Sequence, residues 1–197
     1  MNMKKILALV LALVTLLSCV SCFGGKVYEA APADFSADGM NITLTKAFKK
    51  AKIDGYTAAF DSKAVAVFVL KESAAMFGDM ADMSQREYAE LLRQANASKN
   101  PDALKTEEGV LLFEYSFYNP AEKQTYKYFT TVHKSDDAFW MVQFASVEAK
   151  YEEHRPYMLQ WAKSINFDWS HSENSGHRFA VAFLYILRHN IYSLVFS

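Results

Sequence analysis

The residues best suited to covalent chemistry are the two cysteines of the chain, Cys19 and Cys22, which stand in the sequence Cys-Val-Ser-Cys. Two thiols at this spacing could form a redox pair, supply half of a metal site, or offer a sulfur for lipid attachment. A redox pair normally opens a helix in a βαβ context, whereas this pair precedes Phe23-Gly24-Gly25. A zinc site needs further ligands, and no later cysteine supplies them. Lipid attachment is therefore the chemistry that the sequence favours.

The segment before the cysteines predicts export. Lys4 and Lys5 form a short positive region, and residues 6–17 are a continuous, mainly apolar run. This run is shorter than the roughly 20 residues that a membrane-spanning helix needs, and small residues follow it. Residues 1–18 are therefore predicted to be a secretory signal peptide.

The end of this run, Leu16-Leu17-Ser18-Cys19, resembles the lipobox of bacterial lipoproteins. The resemblance implies that Cys19 is lipidated on its sulfur and becomes the new amino terminus after cleavage. The alternative frame puts the lipid on Cys22, with Cys19 at a position where an aliphatic side chain is expected. Both frames imply a protein held by its N-terminal lipid on the extracytoplasmic face of a bacterial membrane.

Composition narrows the functional class. The formal charge is −1 and no basic stripe is present, so nucleic acid is not an expected partner. Hydrophobic residues make up 51% of the 197 residues, which is enough for one core. Because no cysteine follows Cys22, that core must be stable without disulfides.

The chain after the cysteines divides into a tether and one domain. Residues 19–39 lack a sustained hydrophobic period and are predicted to be a tether, and residues 40–168 are predicted to be the folded domain. Alternating apolar residues predict a strand over 40–45, and a polar connection follows to Gly55. Two more strands are expected over 56–60 and 64–71, the second of them apolar throughout, as is typical of a central strand.

Two helices and a β meander complete the domain. Ser84 and Glu87 have the spacing of a capping box and predict a helix start. A second helix is expected within 148–165. Because proline is unfavourable in a helix interior, Pro156 favours a start near Arg155, and the alternative is a longer helix kinked at that point. The meander strands are predicted over three ranges, 110–118, 124–134 and 138–147.

These elements predict an α+β fold, an antiparallel sheet of about six strands flanked by two main helices. The segments GMNITL, AVAVFVLKE, AFWMVQFA and WAKSI, together with the capped helix, resemble the sandwich domain of PsbP-type and Mog-type proteins. Small bacterial lipoproteins share that fold. The resemblance implies an architecture used mainly for binding and assembly, and it assigns no functional residue to this chain.

Aromatic residues of the meander form the one possible ligand groove. In the strand over 110–118, Tyr115 falls on one face and Glu114 on the other. The residues that could line a groove are Tyr115, Tyr126, Tyr128 and Trp140. The same alternation is also what a buried core requires, so both interpretations stay open.

No residue pattern predicts catalysis, a cofactor or a metal site. Asp136-Asp137 falls in a predicted turn, where aspartate is favoured for local hydrogen bonding. The run Glu152-Glu153-His154-Arg155 could pair a base with an acid, but such runs usually form a solvated helix face. Catalytic, phosphate-binding and zinc-protease motifs are missing from the sequence.

The C-terminal segment, residues 169–197, differs from the domain in its residue pattern. Its two apolar runs are each too short to span a bilayer, and Arg188-His189-Asn190 separates them. It could pack against the domain, lie on the membrane surface, form a partner interface, or be sequence acquired by a frame change. His171, His177 and His189 are a weak basis for a metal site.

The sequence therefore predicts a lipid-anchored, extracytoplasmic protein of the cell envelope that binds a protein partner or a small ligand and is not an enzyme. The alternatives are an envelope hydrolase with an unrecognised active site, or a purely structural module.

Overall fold

The structure, a computed structural model, describes residues 26–168. The predicted signal peptide, Cys19, Cys22 and the C-terminal segment 169–197 lie outside the described residues.

Within 26–168 the strands form two antiparallel sheets, one of three strands in the order β1-β2-β10 and one of seven in the order β3-β4-β5-β9-β8-β7-β6. The small sheet contains β1 (Pro32–Ala37), β2 (Met40–Thr45) and β10 (Asn166–Phe167). The large sheet contains β3 (Lys49–Ala51), β4 (Ala58–Asp61), β5 (Val65–Ser73), β6 (Lys105–Glu107), β7 (Val110–Asn119), β8 (Gln124–Lys134) and β9 (Ala138–Val147).

The centre of the large sheet is built as the sequence predicts. Strand β5 lies between β4 and β9, and its first six residues are all buried, because the sheet is covered on both faces. Strands β7, β8 and β9 are neighbours joined by short turns, so the predicted meander is confirmed.

Two helices lie on opposite faces of the large sheet. Helix α1 (Gln85–Ala95) covers one face, where Tyr88 and Leu92 pack in the same cluster as Phe68 and Phe113. Helix α2 (Glu148–Lys163) and the small sheet cover the other face. The α+β sandwich predicted from the sequence is confirmed.

Helix α1 begins at the predicted capping box. The Ser84 hydroxyl accepts a hydrogen bond from the Glu87 amide at 3.2 Å, and the Glu87 carboxylate accepts one from the Ser84 amide at 2.7 Å. Because these bonds satisfy backbone donors that the first helical turn leaves free, they fix where the helix starts.

The predicted start of the second helix near Arg155 is wrong, because α2 begins at Glu148 and runs through Pro156. Pro156 is exposed, so its ring faces solvent, while Tyr151 and Met158 on either side of it are buried. Burial of the apolar face on both sides of Pro156 outweighs the hydrogen bond that the proline removes.

The prediction of a tether is wrong for the part of it that the structure describes, residues 26–39. Val27 is 3% exposed, and its carbonyl accepts a hydrogen bond from the Thr45 hydroxyl at 2.8 Å. Strand β1 pairs with β2 along its whole length, and Phe35 packs edge-on against Phe60. The folded domain therefore includes residues from Lys26 onward rather than from Met40. In the same way, the predicted polar connection after β2 contains the edge strand β3.

Candidate functional site

The structure does not bring the four predicted groove residues together. Tyr115, Tyr126 and Tyr128 lie on the α1 face of the large sheet, whereas Trp140 lies in the core on the α2 face. All four are buried, with 6% exposure or less. The four residues therefore do not line one open groove in this structure; they belong to two separate buried clusters.

The three tyrosines on the α1 face belong to a buried polar cluster, which we call the tyrosine cluster: Tyr115, Tyr126, Tyr128, Lys99, Glu122, Thr130 and Gln143. Its centre is a stacked pair, since the rings of Tyr115 and Tyr128 lie 4.8 Å apart and nearly parallel. Gln143 donates a hydrogen bond to the Tyr115 hydroxyl oxygen at 3.0 Å, and its amide also lies 3.2 Å from the Thr130 hydroxyl.

Burial controls the ionisation of these phenols. Burial raises the pKa of Tyr115, and the neighbouring Tyr128 adds to this effect, while the bond from Gln143 lowers the pKa in part. Burial also raises the pKa of Tyr128. Both hydroxyls are therefore neutral at physiological pH, and they act as hydrogen-bonding groups rather than as bases.

Tyr126 and Glu122 form the part of the cluster nearest the β7–β8 turn. The Tyr126 hydroxyl donates to one carboxylate oxygen of Glu122, and the pKa of Tyr126 is raised first by burial and then by this bond. The other oxygen of Glu122 is buried, with no hydrogen-bond partner among residues 26–168.

Lys99 brings a cation to the tyrosine cluster from the turn that follows α1. Its ammonium lies 5.0 Å from the centre of the Tyr115 ring and 5.7 Å from that of Phe117, and it donates to the Asn96 side chain at 2.8 Å. Burial lowers its pKa. The aromatic rings stabilise this partly desolvated charge through cation–π contacts.

The polar groups of the tyrosine cluster thus form hydrogen bonds mainly with one another. It can hold β7, β8 and β9 in register and position the turn after α1, and its three tyrosines and Gln143 are buried. Sequence analysis identified its tyrosines and missed Lys99, Glu122 and Gln143. The signal that could have found Gln143 is a polar residue in the middle of the apolar β9, which requires a buried partner.

An ionic cluster occupies the opposite face, around Glu114 of β7. Glu114 is 3% exposed and accepts hydrogen bonds from Tyr151 at 2.6 Å and from Arg155 at 2.9 Å. Lys105 lies 2.8 Å from the same carboxylate. Arg155 also binds both carboxylate oxygens of Glu107, at 2.9 and 2.5 Å.

This cluster keeps a buried carboxylate ionised. Burial alone would raise the pKa of Glu114, but the bonds from Arg155, Lys105 and Tyr151 outweigh it and hold the pKa at about 2. Every group is neutralised by another group of the cluster, so its clearest role is to join α2 to β6 and β7. The sequence run around Arg155 is therefore only partly a solvated face, since Arg155 is half-buried and His154 is buried.

A second buried carboxylate lies on the α1 face at the end of β5. Glu72 is 3% exposed, and Tyr88 of α1 donates its hydroxyl hydrogen to it at 2.5 Å. Burial raises the pKa of Glu72 to about 7, and the bond from Tyr88 opposes this shift. Glu72 differs from Glu114 because no cation of the described chain forms an ion pair with it.

The remaining sequence motif that was a candidate for catalysis is Asp136-Asp137. Asp136-Asp137 lies in the turn between β8 and β9, where the Asp137 carboxylate accepts from the Ser135 hydroxyl. Among residues 26–168, no group of three or more His, Cys, Asp or Glu side chains is placed to hold a metal ion. Over the same range, neither helix has the length and apolar character needed to cross a bilayer.

Several solved structures resemble this fold. The PsbP protein CyanoP of Synechocystis sp. PCC 6803 is 9% identical, with a TM-score of 0.48, over 75% of this chain and 98% of that one. A protein of Bacteroides thetaiotaomicron VPI-5482 is 6% identical, with a TM-score of 0.47, over 74% of this chain and 51% of that one.

LpqN of Mycobacterium tuberculosis, described as involved in cell envelope biogenesis, is 8% identical, with a TM-score of 0.41, over 69% of this chain and 88% of that one. A PsbP protein is thus among the structures to which the chain is similar. At these identities no residue role is carried over. No family model and no curated protein matches the chain.

Proposed function

We propose that the protein is a lipid-anchored, extracytoplasmic binding or assembly protein of the bacterial cell envelope. The observation that carries the proposal is the closeness of the folded domain to the lipid attachment site. Lys26 follows Cys19 by seven positions and Cys22 by four, and Val27 is already buried in the domain. A fully extended chain spans at most about 3.6 Å per residue, so the domain is held within about 25 Å of the lipidated cysteine.

The binding role is supported by how the two faces of the large sheet are used. The tyrosine cluster fills one face and the ionic cluster around Glu114 helps to fill the other, so the polar side chains there are directed at each other. A sandwich filled in this way favours recognition through its outer surface, and hence a macromolecular partner rather than a small ligand in an internal cleft. We propose accordingly that the protein is not an enzyme.

Anchoring is tested by membrane fractionation of the full chain with a fatty-acid label in the growing cells. We expect the wild-type protein to carry the label and to remain in the membrane fraction at high salt. Cys19→Ala should lose the label and leave the membrane, while Cys22→Ala should behave as wild type. If Cys22→Ala leaves the membrane and Cys19→Ala does not, the lipid is on Cys22. If neither variant leaves the membrane, the anchoring proposal is wrong.

The assembly role is tested by cross-linking in intact cells, followed by purification of the full chain and of a variant lacking residues 169–197. We expect the same envelope protein to be cross-linked to wild type in independent experiments, and to be lost when the protein is released by Cys19→Ala. If neither chain is cross-linked to any envelope protein, the assembly role is wrong.

A further inference from the structure

The short connection to Cys19 limits how the domain can stand on the membrane. A compact domain of the size of residues 26–168 has a radius of gyration of about 15 Å and is therefore roughly 40 Å across. The connection from Cys19 reaches at most about 25 Å, and that from Cys22 at most about 14 Å. Because both lengths are shorter than the domain is wide, the domain cannot stand with the end that contains Lys26 farthest from the bilayer.

Strand pairing identifies that end. Lys71 on β5 donates to the carbonyl of Asp38 in the β1–β2 turn, and Lys71 is paired with Trp140 near the start of β9. The β1–β2 hairpin therefore turns at the end of the large sheet where β9 starts. Pro32 and Thr45, six positions along the hairpin, lie toward the other end. Residues 26–31 precede Pro32 and lie there too.

We call this second end the Tyr118 end. It carries the β4–β5 turn (62–64), the β7–β8 turn (120–123) and the first turn of α2, since β7 and β9 both finish there. The contact of Tyr28 with Glu153 of α2, at 2.9 Å, places the start of the described chain at the same end.

The Tyr118 end carries lysines that no internal carboxylate neutralises. Five lysines are exposed at or beside it, and none of them forms an ion pair within the described part of the chain: Lys46, Lys49, Lys50, Lys63 and Lys123. Lys49 and Lys50 lie on β3, next to the β4–β5 turn that holds Lys63. Lys46 lies close to the first described residues, because its amide donates to the Ala31 carbonyl at 2.8 Å.

Most acidic side chains of the same end already have partners. Those side chains and their partners are Glu29 with Lys26, Asp61 with the Lys63 amide, Glu122 with Tyr126, Glu148 with Ser116, Glu152 with Lys127, and Glu153 with Lys150 and Tyr28. Glu29, Glu152 and Glu153 are in ion pairs with lysines, whereas Asp61, Glu122 and Glu148 bind neutral groups that do not cancel their charge. The five unpaired lysines outnumber these three carboxylates, so this end presents a small excess of positive charge.

An aromatic side chain accompanies these lysines. Tyr118 is the penultimate residue of β7, next to the β7–β8 turn, and it is 55% exposed. Most large hydrophobic side chains of the described domain are buried. Tyrosine is favoured at the level of lipid headgroups, because its ring is apolar and its hydroxyl is polar. Lysines near an anionic surface add attraction, and a single lipid chain binds stably when a basic patch assists it.

We propose that the Tyr118 end docks on the anionic lipid headgroups of the membrane that holds the lipid anchor. This inference rests on the proposed lipid anchoring, and it adds an orientation: the domain lies against the bilayer with Tyr118 and the five lysines in the headgroup region. Lysines on an edge strand such as β3 also discourage pairing with another sheet, and the experiment below separates this role from lipid binding.

The test uses the lipidated full chain, with the cysteine that is not lipidated replaced by serine, reconstituted into vesicles. An environment-sensitive fluorophore is attached through Ala121→Cys at the Tyr118 end or, as a control, through Asp136→Cys at the opposite end. Both positions are exposed. Vesicles of phosphatidylcholine alone are compared with vesicles that also contain phosphatidylglycerol.

We expect the Ala121→Cys label to shift to the blue only in vesicles with phosphatidylglycerol. Raising salt from about 0.1 M to about 1 M should reverse the shift, because the Debye length falls from about 10 Å to about 3 Å. The double variant Lys49→Gln/Lys50→Gln should reduce the shift. The control double variant Arg86→Gln/Lys163→Gln also removes two exposed positive charges, although that of Lys163 is paired with Glu108, and should leave the shift unchanged.

The same signal in both kinds of vesicle would overturn docking on anionic headgroups, and a response from Asp136→Cys instead of Ala121→Cys would overturn the orientation. Both results would leave the anchor intact. A response that requires native envelope membranes and is missing from lipid vesicles would assign the Tyr118 end to a protein partner. Failure of the chain to enter vesicles through its lipid would contradict the anchoring proposal itself.

Discussion

The Tyr151 hydroxyl of α2 donates to the Glu114 carboxylate of β7 at 2.6 Å, across a layer in which both side chains are buried. Together with the bond from Arg155, this contact joins helix α2 to the middle of the large sheet. The carboxylate is buried without losing its charge, because its partners replace the water that it gave up.

Removal of the Glu114 charge should destabilise the domain. Glu114→Gln leaves Arg155 and Lys105 short of their buried counter-charge, and we expect the free energy of unfolding to fall by about 3 kcal/mol. Urea denaturation monitored by circular dichroism measures this change. Glu152→Gln is the control, since its carboxylate is exposed and pairs with Lys127, which lies 3.9 Å from Glu114 at the edge of the cluster, and it should change stability little. Equal effects of the two variants would contradict the structural role of the Glu114 cluster.

Glu114 should also make the domain sensitive to acid. Its pKa of about 2 in the folded protein lies below the ordinary value of 4.5, so the unfolded chain takes up the proton first as pH falls. The stability that Glu114 contributes should be present above pH 4.5 and should be lost as pH falls toward about 2. The free energy of unfolding, measured between pH 4.5 and about pH 2, should fall less steeply for Glu114→Gln than for wild type.

Glu72 should have the opposite dependence. Its pKa of about 7 lies above the ordinary value, so the folded protein holds a proton that the unfolded chain has released. Stability from this group should be complete below pH 4.5 and should fall as pH rises through about 7. Glu72→Gln keeps an acceptor for Tyr88, and we expect it to stabilise the domain at pH 8 and to change little at pH 4.5. A Glu72→Gln protein no more stable than wild type at pH 8 would show that the carboxyl is not held neutral.

The Tyr115 hydroxyl should contribute to stability through Gln143. Tyr115→Phe removes the acceptor at 3.0 Å from a buried amide, and we expect a loss of about 1 kcal/mol, limited by the remaining contact with Thr130. Tyr118→Phe makes the same chemical change at an exposed position and should be neutral. Thermal unfolding of the two variants under one condition gives the comparison, and a neutral Tyr115→Phe would show that the bond from Gln143 adds nothing.

The Ser84 capping box should set the stability of α1. Ser84→Ala removes the acceptor for the Glu87 amide, with an expected cost of about 1 kcal/mol. Ser98→Ala, at an exposed position in the turn after α1, is the control and should be neutral. Chemical denaturation of the two variants measures the difference. If Ser84→Ala does not change the free energy of unfolding, α1 is held by packing alone.

The features that could be predicted from the sequence are those with local causes. The capping box depends on residues three positions apart, and the meander depends on alternation and short turns. Strand β1 was missed because it is held by backbone pairing with β2 and not by a hydrophobic pattern of its own. Only Ala37 of β1 is buried, so the strand has almost no hydrophobic signal of its own.

The candidate site was only partly predictable for a related reason. Alternation correctly placed Tyr115 and Glu114 on opposite faces of β7, but it could not show that α2 covers the Glu114 face. That outcome depends on Arg155, which is 41 positions away in the chain. Likewise, the division of the aromatic residues between two cores depends on how the strands pair, and their spacing along the chain does not reveal it.

Strand β2 is flanked by segments from the two extremes of the domain, β1 before it and β10 after it. The pairing of Asn41 with Asn166 joins residues separated by 125 positions. The small sheet therefore cannot close until nearly all of the described chain has been synthesised. Because contacts between residues so far apart in the chain form late, we expect closure of the small sheet to be among the last steps of folding.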